Sequence, residues 1–418
     1  MNRWFRLAAA IVAMMMIANL QYSWTLFVKP LIAANHWKLS DVQWAFTFFI
    51  AAETWFMPCT GWLVDKLGPR AFVTFAGLLC GGGWAMLGWV HSLSALYFFY
   101  TVAGLGAAMV YCGSVGIGLK WFPDKRGLAA GMITAAFGSG AALFIPFIAH
   151  ILRVANYSTA FLYTGIVEGL LIVCAAQFLQ NPAPGAIAPV KTAAKVAVRS
   201  GAEQFNSLEM LRTPQFYVLY VMMLMMGIGG LMVTAQAAQV ADSFKISRAA
   251  LTFALTLNPI ANGVSRLSWG WVSDHLGRER TMLIAFLIQS ACLASVMTVG
   301  RSSDTAFIVC LALVFFSWGE VYALFPPAVA DYFGSRNVSS NYGFMYSTKG
   351  VASIVGGGIA ALIFEKTGSW SAVFYGSAIL ALCSALIAVG LKRMPLPRKK
   401  SPESAMVASG VAASEVRG

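Results

Sequence analysis

The sequence predicts an all-α membrane protein of twelve helices arranged as two related six-helix halves, and three observations carry that expectation. Of 418 residues, 59% are hydrophobic and 11% charged, with mean hydropathy +0.71, whereas soluble domains carry about a quarter charged residues. Apolar runs of roughly 20 residues, each long enough to cross a ~30 Å hydrocarbon core, recur along the chain. Finally, GWLVDKLG at 61–68 returns as GWVSDHLG at 270–277, matching at five of eight positions with a 209-residue offset.

Taken in order, the apolar runs predict spans at 5–28, 41–63, 71–90, 93–118, 128–150 and 157–179. The run beginning at Trp4 and Phe5 is too long for the core of a cleavable signal peptide and has no convincing cleavage site. Residues 180–213 then break the pattern. QNPAPGAIAPVKTAAKVAVRSG, with three prolines and three basic residues, reads as a linker. Six further spans follow at 214–237, 249–272, 281–300, 304–330, 340–364 and 370–391. The expected organisation is an N-terminal six-helix half over 1–180, a cytoplasmic linker over 181–213, a C-terminal half over 214–392 and a cytoplasmic tail over 393–418. Each copy of the repeat falls at or just after the end of the second span of its half. Parallel halves so related imply a pseudo-two-fold axis along the membrane normal, with substrate held between them near mid-membrane.

The formal charge of +13 invites a nucleic-acid reading, which its distribution excludes. Of 29 Lys and Arg, twenty lie in the termini and even-numbered loops, among them Lys66, Arg70, Lys120, Lys125, Arg126, Arg278, Arg280, Arg398, Lys399 and Lys400. Seven lie in odd-numbered loops: Lys29, Lys38, Arg153, Lys245, Arg248, Arg301 and Lys366. By the positive-inside rule both termini are cytoplasmic. The seven cysteines show no CxxC or metal-ligand spacing. His36, His91, His150 and His275 lie at loops or span edges, and there is no phosphate-binding loop or nucleophile elbow. Neither a metal nor another cofactor is expected, and an enzyme is disfavoured.

Arg266 and Lys349 are the two remaining cations. Arg266 is the only charge between Arg248 and Asp274, and Lys349 the only one between Arg336 and Glu365. Each stands eight residues from a marker of the cytoplasmic boundary (Asp274 and Asn341), about 12 Å inside it at 1.5 Å per residue. Snorkelling explains one lysine poorly at that depth and a matched pair worse. Intramembrane charges by default mark a substrate path or a partner. The available acids are Glu53, Glu168 and Glu320. Glu320 points away from the face shared by Trp318 and Tyr322, and Glu53 is the serious competitor, through a pair with Arg266 or Lys349. If the two cations are unpaired, a guanidinium fork and an ammonium together suit a small dicarboxylate held end to end.

Both copies of the repeat resemble the loop between the second and third helices of major facilitator superfamily transporters. The resemblance implies the major facilitator fold and gating or structural roles for Asp65, Arg70 and Asp274. NRWF, LQYSWTLF, DKLGPR, WFPDKRGLAAG, MLRTPQF, YALFP and NYGFMYSTKGVASIVGGG occur in the order found in the bacterial oxalate/formate antiporter family, across nearly the whole chain. That resemblance implies a monomeric, multi-pass protein of the bacterial inner membrane, with the lipid bilayer and small carboxylate anions as its partners. It further implies substrate binding by Arg266, Lys349, Gln21, Tyr22, Gln43, Tyr111, Trp318 and Tyr322. Tyr and Gln can donate hydrogen bonds to carboxylate oxygens, and aromatic walls exclude water. Three departures stand out: Phe137 replaces a tyrosine, Glu53 a neutral glutamine and Glu320 a glycine. The leading expectation is exchange of oxalate for formate by alternating access, moving net charge. The alternative is proton-coupled symport of a monocarboxylate, with Glu53 as proton carrier.

Overall fold

The computed structural model describes residues 2–122, 126–182, 203–334 and 337–398. Among these the regular structure is helical throughout. Most of linker segment 181–213 and of tail 393–418 lies outside the described residues, as do Lys125, Lys399 and Lys400.

Ten stretches are both long and apolar enough to cross a bilayer, beginning with Arg3–Tyr22 and ending with Ser371–Arg393. Two more have the length and are more polar: Leu39–Trp55 continued by Met57–Leu67, and Arg248–Leu276. These complete twelve crossings among the described residues and are the second crossing of each half. Their polarity has a cause, since they carry Gln43, Thr47 and Glu53, and Asn258, Asn262 and Arg266, toward the interior.

Packing follows the repeat. Crossing 3 (Pro69–Trp89) packs on crossing 6 (Tyr157–Ala176), and crossing 9 (Arg278–Thr298) on crossing 12 (Ser371–Arg393). Crossing 2 likewise packs on crossing 4 (Leu93–Trp121), and crossing 8 on crossing 10 (Asp304–Phe333). The halves meet through two equivalent seams: crossing 5 (Arg126–Ser139 onward) against crossing 8, and crossing 11 (Val338–Tyr346 onward) against crossing 2. Even the backbone repeats. Gly68 (φ 73°, ψ 154°) and Gly277 (φ 86°, ψ 156°) end their motifs in one left-handed geometry, which an L side chain would strain.

Five of the twelve crossings, 1, 2, 5, 10 and 11, are interrupted along their length among the described residues. Crossing 1 is Arg3–Tyr22 and Trp24–Asn35, interrupted at Ser23, and crossing 2 is interrupted at Phe56. Crossing 5 passes through a 3-10 turn at Gly140–Leu143, and crossing 10 is interrupted at Gly319 and Glu320. Crossing 11 breaks at Ser347 and again relaxes into a π segment, Ile354–Ile359. Breaks of this kind survive in lipid only where the freed backbone groups are buried in protein or line an aqueous path.

The last residues of the linker segment dock on the C-terminal half. Phe205 N–H donates to the Phe333 carbonyl at 2.9 Å, and the Asn341 amide donates to the Phe205 carbonyl at 3.1 Å.

Candidate functional site

The helix breaks converge on one buried polar cluster. Gln21 and Tyr22 precede the Ser23 break, Glu53 precedes the break at Phe56, and Tyr322 and Lys349 follow breaks in crossings 10 and 11. Arg266 comes from the unbroken crossing 8.

Lys349 is 2% exposed and has an anionic partner. Its Nζ donates to Glu53 Oε2 at 2.7 Å, to Gln21 Oε1 at 2.8 Å and, at 3.5 Å, to the Tyr346 hydroxyl. The expectation of two cations awaiting an external anion is therefore corrected for Lys349. The reason is geometric: crossings 2 and 11 pack directly on each other, and Glu53 is 0% exposed. A carboxylate so buried costs several kcal/mol unless paired and hydrogen-bonded. Glu53 Oε1 and Gln21 Nε2 are left without hydrogen-bond partners.

Arg266 is different. Its Nε and Nη2 both donate to Asn262 Oδ1, at 3.2 and 3.0 Å, and Nη1 donates to the Thr134 carbonyl across the seam at 2.9 Å. The guanidinium lies over the Tyr322 ring, 4.5 Å from its centroid. Among the described residues no carboxylate stands within ion-pair distance of it. Asn262 is separated from Glu53 by the same 209 residues that separate the motif aspartates, Asp65 and Asp274. Pseudo-equivalent positions thus hold the two cations, one with an amide and the other with a carboxylate.

Phe137 lies between the charges. Arg266 is 5.8 Å and Lys349 5.4 Å from its ring centroid, so the two are at most about 11 Å apart. Tyr22 and Tyr111 each bring a ring within 5.9 Å of Phe137, and Tyr346 packs on Tyr111 at 5.8 Å and on Tyr322 at 6.1 Å. The Tyr22 hydroxyl reaches Asn262 Oδ1 at 3.4 Å. Gln21, Tyr22, Glu53, Tyr111, Arg266, Tyr322 and Lys349 therefore form one group. Asn262, Phe137 and Tyr346 complete it. Asn262 had a sequence signal, being the polar residue one helical turn before Arg266; Tyr346 had one too, three residues before Lys349.

Two expected ligands lie elsewhere. Gln43 is ten residues from Glu53, about 15 Å along the helix, and its amide is fully used. Nε2 donates to the Ala235 carbonyl at 2.8 Å and to Gln236 Oε1 at 3.0 Å, while Oε1 accepts from Trp24 Nε1 at 3.2 Å. Trp318 packs flat against Gly230, where a Cβ would fall 2.0 Å from the indole, and meets Tyr322 edge-on at 5.6 Å. It buttresses Tyr322 from behind.

Gln43 belongs to a seal on the odd-loop side. There Lys29 pairs with Asp242 at 2.5 Å, and the Thr25 hydroxyl accepts from Ala238 N–H at 2.9 Å. Thr47 donates to the Ser353 carbonyl at 2.9 Å, and Glu365 accepts from both the backbone N–H and the hydroxyl of Ser40 at 2.8 Å. The captured conformation is closed toward that side.

The motif residues sit at the opposite ends of the helices. Asp274 pairs with Arg278 at 2.8 Å, and Arg278 reaches Asp331 at 3.2 Å, tying crossing 8 to crossing 10. Arg70 donates to Gln177 at 2.8 Å, joining crossings 3 and 6. Asp65 is in Met57–Leu67, with its side chain outside the described residues. The other buried acids stay apart from the cluster: Glu168 accepts from Asn19 at 2.5 Å, and both Glu320 oxygens lack a hydrogen-bond partner. No three His, Cys, Asp or Glu side chains group as metal ligands among the described residues.

Two related six-helix halves, joined around charges presented at broken helices, define a secondary transporter. The pattern of the Major Facilitator Superfamily matches residues 9–236 and again 217–415, and the chain belongs to that family of transporters; it is not an enzyme. It is 39% identical over 406 residues to the oxalate:formate antiporter of Oxalobacter formigenes, covering 97% of this chain and 94% of that protein. More distantly, it is 26% identical to apicoplast pyruvate carrier 1 of Toxoplasma gondii, covering 87% of this chain and 77% of that protein. It is also 22% identical to monocarboxylate transporter 13 of Rattus norvegicus, covering 92% and 88%.

Proposed function

We propose that this chain exchanges small carboxylates, oxalate for formate, by alternating access about the central cluster. The observation that carries the reading is Arg266, 6% exposed and without an acidic partner among the described residues. A guanidinium in such a place needs an anion, and its fork suits a carboxylate. Identity to an oxalate:formate antiporter over nearly the full length supports the substrate class.

In this reading substrate arrives from the even-loop side, opposite the seal, and that side is cytoplasmic along with both termini of a monomer in a bacterial inner membrane. One carboxylate takes the Arg266 N–H groups that Asn262 and Thr134 leave free. Gln21 Nε2, lacking a partner, and the hydroxyls of Tyr22 and Tyr111 supply further donors, while Tyr322, backed by Trp318, walls the site. Gln43 acts in closure and does not touch substrate. Asp65, Arg70 and Asp274 govern the even-loop gate.

The test is counterflow. Purified protein in proteoliposomes preloaded with formate should accumulate labelled oxalate transiently, and empty vesicles should not. Absence of any oxalate counterflow rejects the substrate assignment and leaves the fold standing.

The Glu53–Lys349 pair favours a second reading, proton-coupled symport of a monocarboxylate with Glu53 carrying the proton. Its signature is uptake into vesicles holding no counter-substrate, driven by an inward proton gradient and lost in Glu53→Gln.

A further inference from the structure

Resting on the exchange reading, we propose that a dicarboxylate dianion enters together with one proton held on Glu53, so that its exchange for a monocarboxylate moves no net charge. A site closed off from water must balance its charge. Arg266 and Lys349 contribute two positive charges and Glu53 one negative, leaving +1. A monocarboxylate brings that to zero with the Glu53–Lys349 pair intact. A dicarboxylate would leave −1 in a low-dielectric interior, which is costly. A proton on Glu53 restores neutrality.

Geometry points to the same atom. The three Lys349 N–H groups are already directed at Gln21, Glu53 and Tyr346. Lys349 can turn to a second carboxylate only by releasing a partner. Glu53 is the partner whose hold depends on charge, and protonating it weakens that hold. The proton resides on the Glu53 carboxylate, and the freed ammonium meets the second carboxylate of the substrate. On release of the dianion the proton leaves with it and the Glu53–Lys349 pair re-forms. Formate-type cargo uses Arg266 alone and carries no proton.

The titratable side chains around Glu53 are the charged Lys349 and the neutral Tyr346 on crossing 11, and the neutral Tyr100 and Tyr111 on crossing 4, Tyr22 on crossing 1, Tyr322 on crossing 10 and Cys80 on crossing 3. Arg266 on crossing 8 reaches Lys349 and the shared tyrosines. No second carboxylate is among them. Glu168 is tied to Asn19, and Glu320 makes no hydrogen bond and no ion pair among the described residues.

The experiment uses the full chain in proteoliposomes, with oxalate and formate as the exchanging pair. Under a potassium diffusion potential at equal pH, the equilibrium distribution of wild type should not move. With the potential clamped to zero, each pH unit should shift the oxalate distribution about tenfold toward the alkaline side. Glu53→Gln should reverse both behaviours: exchange slows, because formate then leaves one positive charge uncompensated, and what remains is insensitive to pH and shifts about tenfold for every ~60 mV. Glu320→Gln should behave as wild type. A wild-type distribution that follows voltage and ignores pH overturns the proposal without recourse to any variant, and transfer of the effect to Glu320→Gln overturns the assignment to Glu53. Failure of oxalate to exchange at all instead rejects the exchange reading, and this inference with it.

Discussion

Arg266 commits three N–H contacts to Asn262 and Thr134, and in the proposed reading the remainder of its fork takes cargo. Lysine at this position would keep the charge and lose the fork. Losing one charge-assisted hydrogen bond costs about 1.5–3 kcal/mol, so Arg266→Lys should slow oxalate counterflow by roughly tenfold to a hundredfold while thermal unfolding in detergent changes little. Lys349 makes the opposite case. Lys349→Gln strands Glu53 with a buried charge, and breaking such a pair from one side costs about 3–5 kcal/mol. That variant should unfold at clearly lower temperature. Adding Glu53→Gln should recover most of the stability and still leave oxalate transport impaired, because one carboxylate ligand is gone. If the double variant is no more stable than the single one, the pair is not what holds these side chains.

The helices are legible as spans and illegible as broken rods. Hydropathy averages over about twenty residues and cannot register a single interruption at Ser23, Phe56 or Ser347, yet the buried Tyr22, Glu53 and Lys349 each lie within three residues of one. The same averaging scores crossings 2 and 8 as weakly apolar, since their buried polar stripes lower the mean. Gln43 shows how far along a crossing function can change: ten residues from Glu53 it belongs to the seal and bridges to Gln236 and the Ala235 carbonyl. A hydrogen bond is worth about 1 kcal/mol, so Gln43→Ala, which deletes two across the seam, should raise the population open to the odd-loop side by roughly an order of magnitude. The modification rate of a Thr25→Cys reporter with a membrane-impermeant thiol reagent measures that. An unchanged rate would mean that the ion pair of Lys29 with Asp242 and the Ser40–Glu365 contacts hold the closure without it.

At the scale of the molecule, the packing of crossing 2 on 4 and 3 on 6, repeated as 8 on 10 and 9 on 12, leaves two equivalent seams between the halves. In the alternating-access reading proposed above, motion of one half against the other opens one end as it closes the other, and the seal on the odd-loop side is one end of that cycle. The excess of Lys and Arg in even loops leads us to expect both termini on the cytoplasmic side. Cysteines introduced as Asn2→Cys and Arg398→Cys should react with an impermeant reagent in inside-out vesicles and stay protected in intact cells, and labelling of either in intact cells would reverse the orientation.

Local composition determined the twelve crossings and the two intramembrane cations, because a chain in lipid must form apolar helices and a misplaced charge stands out in the letters. A recurring motif and the order of others determined the two halves and the family. Which charges meet was decided only by the tertiary structure. Glu53 and Lys349 are 296 residues apart, and nothing in either neighbourhood states that crossings 2 and 11 share a seam. The same holds for Gln43 and Trp318, whose placement depends on partners in the seventh crossing, Pro214–Ser243. Hydropathy is a property of neighbours in sequence, whereas charge compensation is a property of neighbours in space.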